Sequence, residues 1–567
     1  MTLSDQRFYY WKNFKKLDKH LRKELESMTP EQIEDAFGAN VEFGTAGMRG
    51  LLGVGPNRLN IYTIRKATVA FAKYLLEIQP DFKQTGVAIA YDNRYMSKEF
   101  AFESAKVLAS YDIKSYVYSS LRSTPQLSFT VRTLGCLGGI MITASHNPKE
   151  YNGYKVYDHT GCQLVPAMID KVIHYIDQIE DELSIDVELT KEQIQLIHLI
   201  DNDLDAEYKN RVMDIQVRPE LDKDLLIVFS AQHGAGFPTV FDVLSASGYE
   251  LLLEEKQCQP DPAFSHTLTP NPEEADAYMQ SIHLAKEHDA DLIISTDPDA
   301  DRVGVVIKHE KDYHLLSGNQ TGAILMEYLF STLQEKHMMP KNPVMFNTIV
   351  TSDLGEKVAS AYGVETEKTL TGFKFIGEKI ENYQQNQQKN FVFGYEESYG
   401  YLIEPFVRDK DAIQACLLIV EAAQYYKNNG KTLLDVLYDL YKQHGTYLEK
   451  QTSLTLTGIE GNKRIKQIMD HLRNNPLTEV AGIKVSCWED YQHQYKNCDD
   501  EKTPIDGFER SDVLKMILKD GSWIAIRPSG TEPKCKFYYC VRGEDQKEVH
   551  TKFEQFSDAI NQQIEQA

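Results

Sequence analysis

Residues 138–148 read GGIMITASHNP, a short apolar run that passes without a spacer into a loop carrying a hydroxyl, an imidazole and Asn-Pro. The same grammar recurs at 291–302, DLIISTDPDADR, and at 390–399, NFVFGYEESY. Short apolar runs bounded by turn residues read as buried strands. In α/β sheets, ligands gather outside the carboxyl ends of the strands. Working outward from the first loop, residues 61–78 and 97–111 carry helical patterns, and 86–92, 114–120 and 138–144 read as strands. A second block opens at 225–230 and closes at 291–296, with helical patterns at 239–246 and 272–288 between them. A third holds strand candidates at 344–350 and 390–395, and the glutamine-rich stretch 384–390 reads as a loop. The C-terminal part differs, with a strand pair near 523–526 and 536–541 and a final helix of about twenty residues. The alternation predicts an α/β protein: three similar mixed α/β domains plus a smaller C-terminal α+β domain around a central cleft. The expected boundaries are 1–205, 206–315, 316–442 and 443–567.

The chain has 567 residues, enough for several domains, and its 42% apolar and 26% charged content is ordinary for a globular protein. A net charge of −23 argues against nucleic acid and anionic membrane as partners, since both select an excess of Lys and Arg. A small anionic ligand would need a local cationic pocket. The first twenty residues lack the order of a signal peptide, and apolar stretches such as 412–423 are too short to span a bilayer. A cytoplasmic location is expected. Eight cysteines without regular spacing are expected to be thiols of a reducing compartment, neither a disulfide framework nor a zinc site.

Asp297, Asp299 and Asp301 alternate on a short loop, offering three hard oxygens to Mg²⁺ or Ca²⁺. Arg302 and Lys308 stand where an EF-hand loop needs Gly at the sixth position and Glu at the twelfth, which disfavours an EF-hand. Three carboxylates leave such a metal short of ligands. Ser145, with His146 beside it, could attack or carry a phosphoryl group, and no G-x-S-x-G elbow surrounds it. The loop 394–400 sets Glu396 and Ser398 beside aromatics, a surface suited to sugar hydroxyls. Arg527, Ser529, Gly530 and Thr531 combine a guanidinium, hydroxyls and a glycine-opened backbone, all suited to a phosphate dianion. A further glycine-opened loop at 44–50 bears Arg49. Each loop alone also reads as an ordinary turn or solvated acidic bend; the order of all five is what carries weight.

Together these loops resemble the α-D-phosphohexomutase superfamily, the phosphoglucomutases and phosphomannomutases, over nearly the whole chain. The family's phosphoserine loop T-A-S-H-N-P matches 143–148, its metal loop D-x-D-G/A-D-R matches 297–302, and R-P-S-G-T-E-P matches 527–533. The sugar loop G-E-x-S matches less well, because Tyr395 follows Gly394, and Tyr399 to Tyr401 stand where many members carry a histidine. Thr371, Gly372 and Lys374 look like the third-domain substrate loop. The wording G-T-A-G-M-R-G, G-F-K-F-I-G-E and G-Y-E-E-S is most similar to the bacterial phosphoglucomutase branch related to the phosphoglucomutase-2 type, which includes enzymes acting on pentose phosphates.

The resemblance implies a phosphoserine at 145, with Mg²⁺ held by Asp297, Asp299, Asp301 and a phosphoserine oxygen. It implies interconversion of glucose 1-phosphate and glucose 6-phosphate, with glucose 1,6-bisphosphate as intermediate and activator. Arg302 would neutralise migrating charge. Lys155, with a pKa lowered by desolvation and by neighbouring cations, is the candidate that assists proton removal. Arg49, Lys149, Lys374 and Arg527 would complete the cationic pocket. The expected partner is a small phosphosugar, and the expected assembly a monomer or homodimer. Alternatives are phosphopentomutase or phosphomannomutase specificity, a sugar-bisphosphate synthase, a phosphate hydrolase, and a non-catalytic sugar-phosphate or divalent-ion binding protein.

Overall fold

The computed structural model describes residues 2–44, 47–79, 85–456, 458–499, 501–529 and 534–567. The chain forms two compact units. The first comprises 1–316, 373–394 and 398–428; the second comprises 317–372, 395–397 and 429–567.

In the first unit a seven-stranded sheet runs in the order 43–44, 47–51, 151–158, 138–142, 87–91, 115–118, 197–200. Strands Val87–Tyr91 and Gly138–Ile142 are neighbours and parallel, so the loops at their carboxyl ends emerge side by side. Both strands are buried along their whole length, as expected of runs without polar alternation. Helix Ile61–Ile78 covers this sheet because Ile64, Ala67, Phe71 and Leu75 recur at helical spacing and are all buried. Its start is fixed by Asn60, whose side chain accepts from the amides of Tyr62 and Thr63. In the glycine-opened segment at 44–50, read as a loop, the described residues pair as antiparallel strands Phe43–Gly44 and Gly47–Leu51, and Arg49 stands on the second.

A five-stranded sheet follows, in the order 312–316, 303–309, 292–296, 226–230, 250–253. Leu292–Thr296 lies parallel to Leu226–Ser230 and antiparallel to Val303–His309. Residues 297–302 are therefore the turn of a hairpin at the carboxyl end of a buried strand. The returning segment 398–428 packs onto this turn. The Val303 amide donates to the Tyr399 carbonyl at 3.1 Å, and the Ala412 amide to the Ala300 carbonyl at 3.2 Å.

In the second unit, strands Pro343–Thr348 and Glu365–Thr369 pair in parallel. An eight-stranded sheet follows whose paired strands among the described residues run antiparallel. Its core joins Trp488, Met516, Ile524 and Phe537 to Phe556 and Ile560 of helix Gln546–Gln566.

Two expectations are corrected. The glutamine-rich stretch is helical through Asn386, because Gln384 accepts from buried Arg408 and Gln385 donates to Glu381 one turn back. Cysteines 487 and 498 are joined as a disulfide, being directly opposite on antiparallel strands. The other six are buried thiols. No helix among the described residues is long and apolar enough to cross a membrane.

Candidate active site

Ser145 leaves strand Gly138–Ile142 with φ +52°, in the left-handed region that costs a non-glycine residue about 1 kcal/mol or more. Its hydroxyl is buried and donates to Asp297 Oδ2 at 2.7 Å, with His146 Nδ1 3.2 Å away. The serine loop and the aspartate loop, 152 residues apart in sequence, meet in one site.

Asp297, Asp299 and Asp301 are buried and offer ligand oxygens all within 4.8 Å of one another. Ala300, also at positive φ (+51°), turns the loop so that the three carboxyls converge. This accounts for a position that takes only glycine or alanine in the motif, since a larger side chain in a left-handed, fully buried site has nowhere to go. Asp297 Oδ1 accepts from the amides of Asp301 and Arg302. Asp299 Oδ2 accepts from Thr124 Oγ1 and from Lys155 Nζ, each at 2.8 Å. Thr124 begins the helix Thr124–Thr133, and its amide also donates to the Asp299 carbonyl.

Crowding three carboxyls sets their protonation. Burial, followed by the charges of Asp299 and Asp301, pushes Asp297 well above the usual carboxylate range. Burial acts on Asp299 too, but the Lys155 ammonium outweighs it and holds Asp299 well below that range. Among the described residues, Oδ1 of Asp299 and Oδ1 of Asp301 are buried without a hydrogen-bond partner. An unsatisfied buried acceptor costs roughly 1–3 kcal/mol, and a divalent cation would take up both oxygens. The donor set, all hard oxygen, fits Mg²⁺.

Lys155 lies 2.8 Å from Asp299 and 3.6 Å from Asp301. Burial pulls its pKa down, but the two aspartates more than compensate, so the net shift is upward. The expectation of a lowered pKa is therefore corrected: the anions beside Lys155 outweigh desolvation, and it is a fixed cation of the site. Arg302 donates to Glu273 at 2.6 Å. Arg49 donates to Asn147 in the serine loop at 2.9 Å. Lys149 is exposed. Lys374 is buried at the start of helix Phe373–Asn386. Ser398 is half-buried.

In the second unit Glu396 is buried and accepts from the Gly372 amide at 2.7 Å. Glu397 accepts from Thr348 and Thr351. Thr371 Oγ1 is buried without a hydrogen-bond partner among the described residues. The residue that interrupts the G-E-x-S pattern, Tyr395, is fully buried against Gly322 and Gly355, so the insertion is absorbed by the core and Glu396 keeps its place. Arg527 is half-buried at the end of strand Trp523–Pro528, and the Ser529 amide donates to the Lys534 carbonyl. Gly530 and Thr531 lie outside the described residues.

Sequence reasoning missed Lys410, whose ammonium is 3.0 Å from Asp301 and 2.9 Å from Asp409. Asp409 also accepts from Tyr157 Oη at 2.9 Å. The run 408–411, RDKD, sits between an apolar strand and an apolar helix, which was a readable signal. It missed Asp92 and Arg94 as well, although they follow a buried strand just as the serine loop does.

Four sequence models of one family match consecutive segments. They are phosphoglucomutase/phosphomannomutase alpha/beta/alpha domains I (residues 40–183), II (206–311) and III (317–444), and the C-terminal domain (465–559). A phosphoglucomutase of Staphylococcus epidermidis is 41% identical over 528 residues, covering 92% of this chain and 94% of that protein. One of Staphylococcus aureus is 40% identical over 536 residues, covering 93% and 94%. Among solved structures, a putative phosphomannomutase from Thermus thermophilus aligns with TM-score 0.66 at 20% identity, over 92% of this chain and 99% of that one. The pp63/parafusin phosphoglucomutase of Paramecium aligns with TM-score 0.66 at 20% identity, over 93% and 94%. At that identity the structural likeness speaks for the fold.

Proposed function

Because the chain belongs to the phosphoglucomutase/phosphomannomutase family, we propose that it interconverts glucose 1-phosphate and glucose 6-phosphate, with Ser145 as the phosphoryl carrier. One observation carries the reading: the Ser145 hydroxyl donates at 2.7 Å into a buried three-aspartate cluster. Asp297, Asp299 and Asp301, with an oxygen of a phosphorylated Ser145, would hold Mg²⁺, which would supply positive charge to the phosphoryl oxygens.

The reaction then runs on the chain's own groups. Phosphoserine 145 gives its phosphoryl group to the free hydroxyl of the sugar monophosphate, whose proton passes to Ser145 Oγ as the serine–phosphate bond breaks, forming glucose 1,6-bisphosphate. After reorientation of that intermediate, Ser145 accepts the other phosphoryl group, its hydroxyl proton passing to the sugar oxygen from which that group departs. His146, at hydrogen-bond distance from Ser145 Oγ, orients the hydroxyl. Arg302 and Lys155 are fixed cations that offset charge on the transferring group. Arg49, Thr371, Gly372, Lys374, Arg527, Ser529, Gly530 and Thr531 bind the phosphate that is not reacting and its surroundings. Glu396 and Ser398 bind sugar hydroxyls.

Four domains, 1–205, 206–315, 316–442 and 443–567, are part of this reading; the four separate family matches support it. A cytoplasmic location suits a phosphosugar substrate and the six buried thiols.

The test is turnover of glucose 1-phosphate with catalytic glucose 1,6-bisphosphate and Mg²⁺, followed by mass spectrometry of the intact chain. Product glucose 6-phosphate and one phosphate on Ser145 are expected. Near wild-type turnover by Ser145→Ala overturns the reading. Parallel assays with mannose and ribose 1-phosphates fix the sugar.

A further inference from the structure

The loop that carries Ser145 is bracketed by a second loop, Asp92-Asn93-Arg94, emerging from the adjacent parallel strand. Asp92 and Arg94 are both buried, at 2% and 3% exposure. Asp92 is the anchor. Its Oδ1 accepts from the Arg94 amide at 3.0 Å and from Ser97 Oγ at 2.7 Å. Its Oδ2 accepts from Thr143 Oγ1 at 2.7 Å and lies 3.2 Å from Arg94 Nε. The Thr143 oxygen in turn accepts from the Ser145 amide at 2.8 Å.

From this anchor the Arg94 guanidinium reaches the far side of the serine loop. Nη2 donates to the carbonyls of Ser145 (2.6 Å) and Asn147 (2.5 Å), and Nη1 to those of Pro148 (2.8 Å) and Tyr151 (3.1 Å). One side chain therefore satisfies four backbone acceptors across a seven-residue loop that contains a serine at φ +52°. A planar fork can serve four diverging carbonyls, whereas a lysine offers three protons from a single atom. The Phe264 ring, 5.1 Å from the guanidinium carbon, covers it.

We propose that Arg94, fixed by Asp92, is a positioning residue for Ser145. It holds the loop in the left-handed conformation from which the hydroxyl points at Asp297, and it touches neither sugar nor reacting phosphoryl group. The proposal rests on the reading of Ser145 as phosphoryl carrier. Displacement of a reacting group by about 1 Å costs on the order of a hundredfold in rate, and loosening this bracket permits displacement of that size.

The experiment compares wild type, Arg94→Lys and Thr143→Val in steady-state kinetics, thermal unfolding and amide hydrogen exchange. For Arg94→Lys, kcat is expected to fall about a hundredfold with KM within about threefold, and exchange to rise across residues 143–151 and not elsewhere. Should Arg94→Lys fail to fold, Thr143→Val decides. It removes the acceptor of the Ser145 amide and keeps the ion pair, and a kcat lowered about tenfold at unchanged KM is expected. Unchanged exchange over 143–151, an unchanged kcat, or a kcat that falls only in proportion to the unfolded fraction overturns the proposal. Hydrogen exchange needs no turnover, so it judges the bracket even where the mutase assay itself fails.

Discussion

Lys155 Nζ sits 2.8 Å from Asp299 Oδ2 and 3.6 Å from Asp301 Oδ2, inside the carboxylate cluster that would hold a metal. The lysine is the cluster's own counter-charge. Lys155→Met removes that charge, and bound Mg²⁺ no longer competes with it. Isothermal titration should show Mg²⁺ binding about tenfold more tightly than wild type, a modest fraction of the pair's Coulomb energy at an effective dielectric near 20. Phosphoryl transfer should fall at the same time. Weaker binding would mean that Lys155 organises the aspartates and does not oppose the cation.

Ala300 tests the aspartate turn. Its φ of +51° is strained for alanine, and glycine relieves that strain while adding freedom to the unfolded chain. The two effects, each about 0.5–1 kcal/mol, nearly cancel. Ala300→Gly should unfold within about 0.5 kcal/mol of wild type and stay active. Ala300→Val adds a branched side chain at a fully buried left-handed position and should cost more than about 2 kcal/mol, with loss of Mg²⁺ binding. Denaturant titration of both variants checks this.

Tyr395 fills the space left by two helix glycines. A Cβ on Gly322 would stand 2.7 Å from its ring, and one on Gly355 would collide with its hydroxyl. Gly355→Ala should push Tyr395 aside and carry the adjoining Glu396 with it. The expected result is a higher KM for glucose 1-phosphate with undiminished phosphorylation of Ser145 by glucose 1,6-bisphosphate. A variant with unaltered KM would exclude Glu396 from sugar binding.

Lys515 gives a pH signature in the second unit. Its ammonium donates to the Ile349 carbonyl at 2.8 Å and lies 4.2 Å from the Trp523 ring. Burial, followed by the nearby charge of Lys368, lowers its pKa from 10.5 to about 8. Between those values the unfolded chain binds the proton more tightly, so this group's contribution to stability rises with pH. At about 1.4 kcal/mol per pH unit the rise is at most about 3 kcal/mol. Wild type should gain stability relative to Lys515→Met between pH 8 and 10, read from guanidinium midpoints. Parallel curves would show that the ammonium is solvated.

Much of this was legible in the sequence, because the buried strands and their polar exits are local properties. Helices 61–78 and 239–246 fall where their patterns put them, and Ser145 and the three aspartates could be singled out by the loops that carry them. What could not be read was set by contacts distant in sequence. Nothing around Lys155 shows that Asp299, 144 residues away, raises its pKa. Lys410 and Arg94 act through partners that only the folded sheets bring near. The helix through Asn386 prevailed over a loop-like composition because Arg408 and Glu381 supply its polar partners.

The unit that carries Ser145 is assembled from three stretches of chain, the last ending at residue 428. A ribosome that has released residues 1–316 has delivered the serine and all three aspartates. Asp301 still lacks Lys410, and Tyr157 still lacks Asp409. The serine and aspartate loops therefore wait, during synthesis, for a segment encoded more than one hundred codons further on than the aspartate loop. Translation pauses before residue 410 would leave the acidic cluster without one of its counter-charges, so the order of synthesis bears on when this site can first bind a cation.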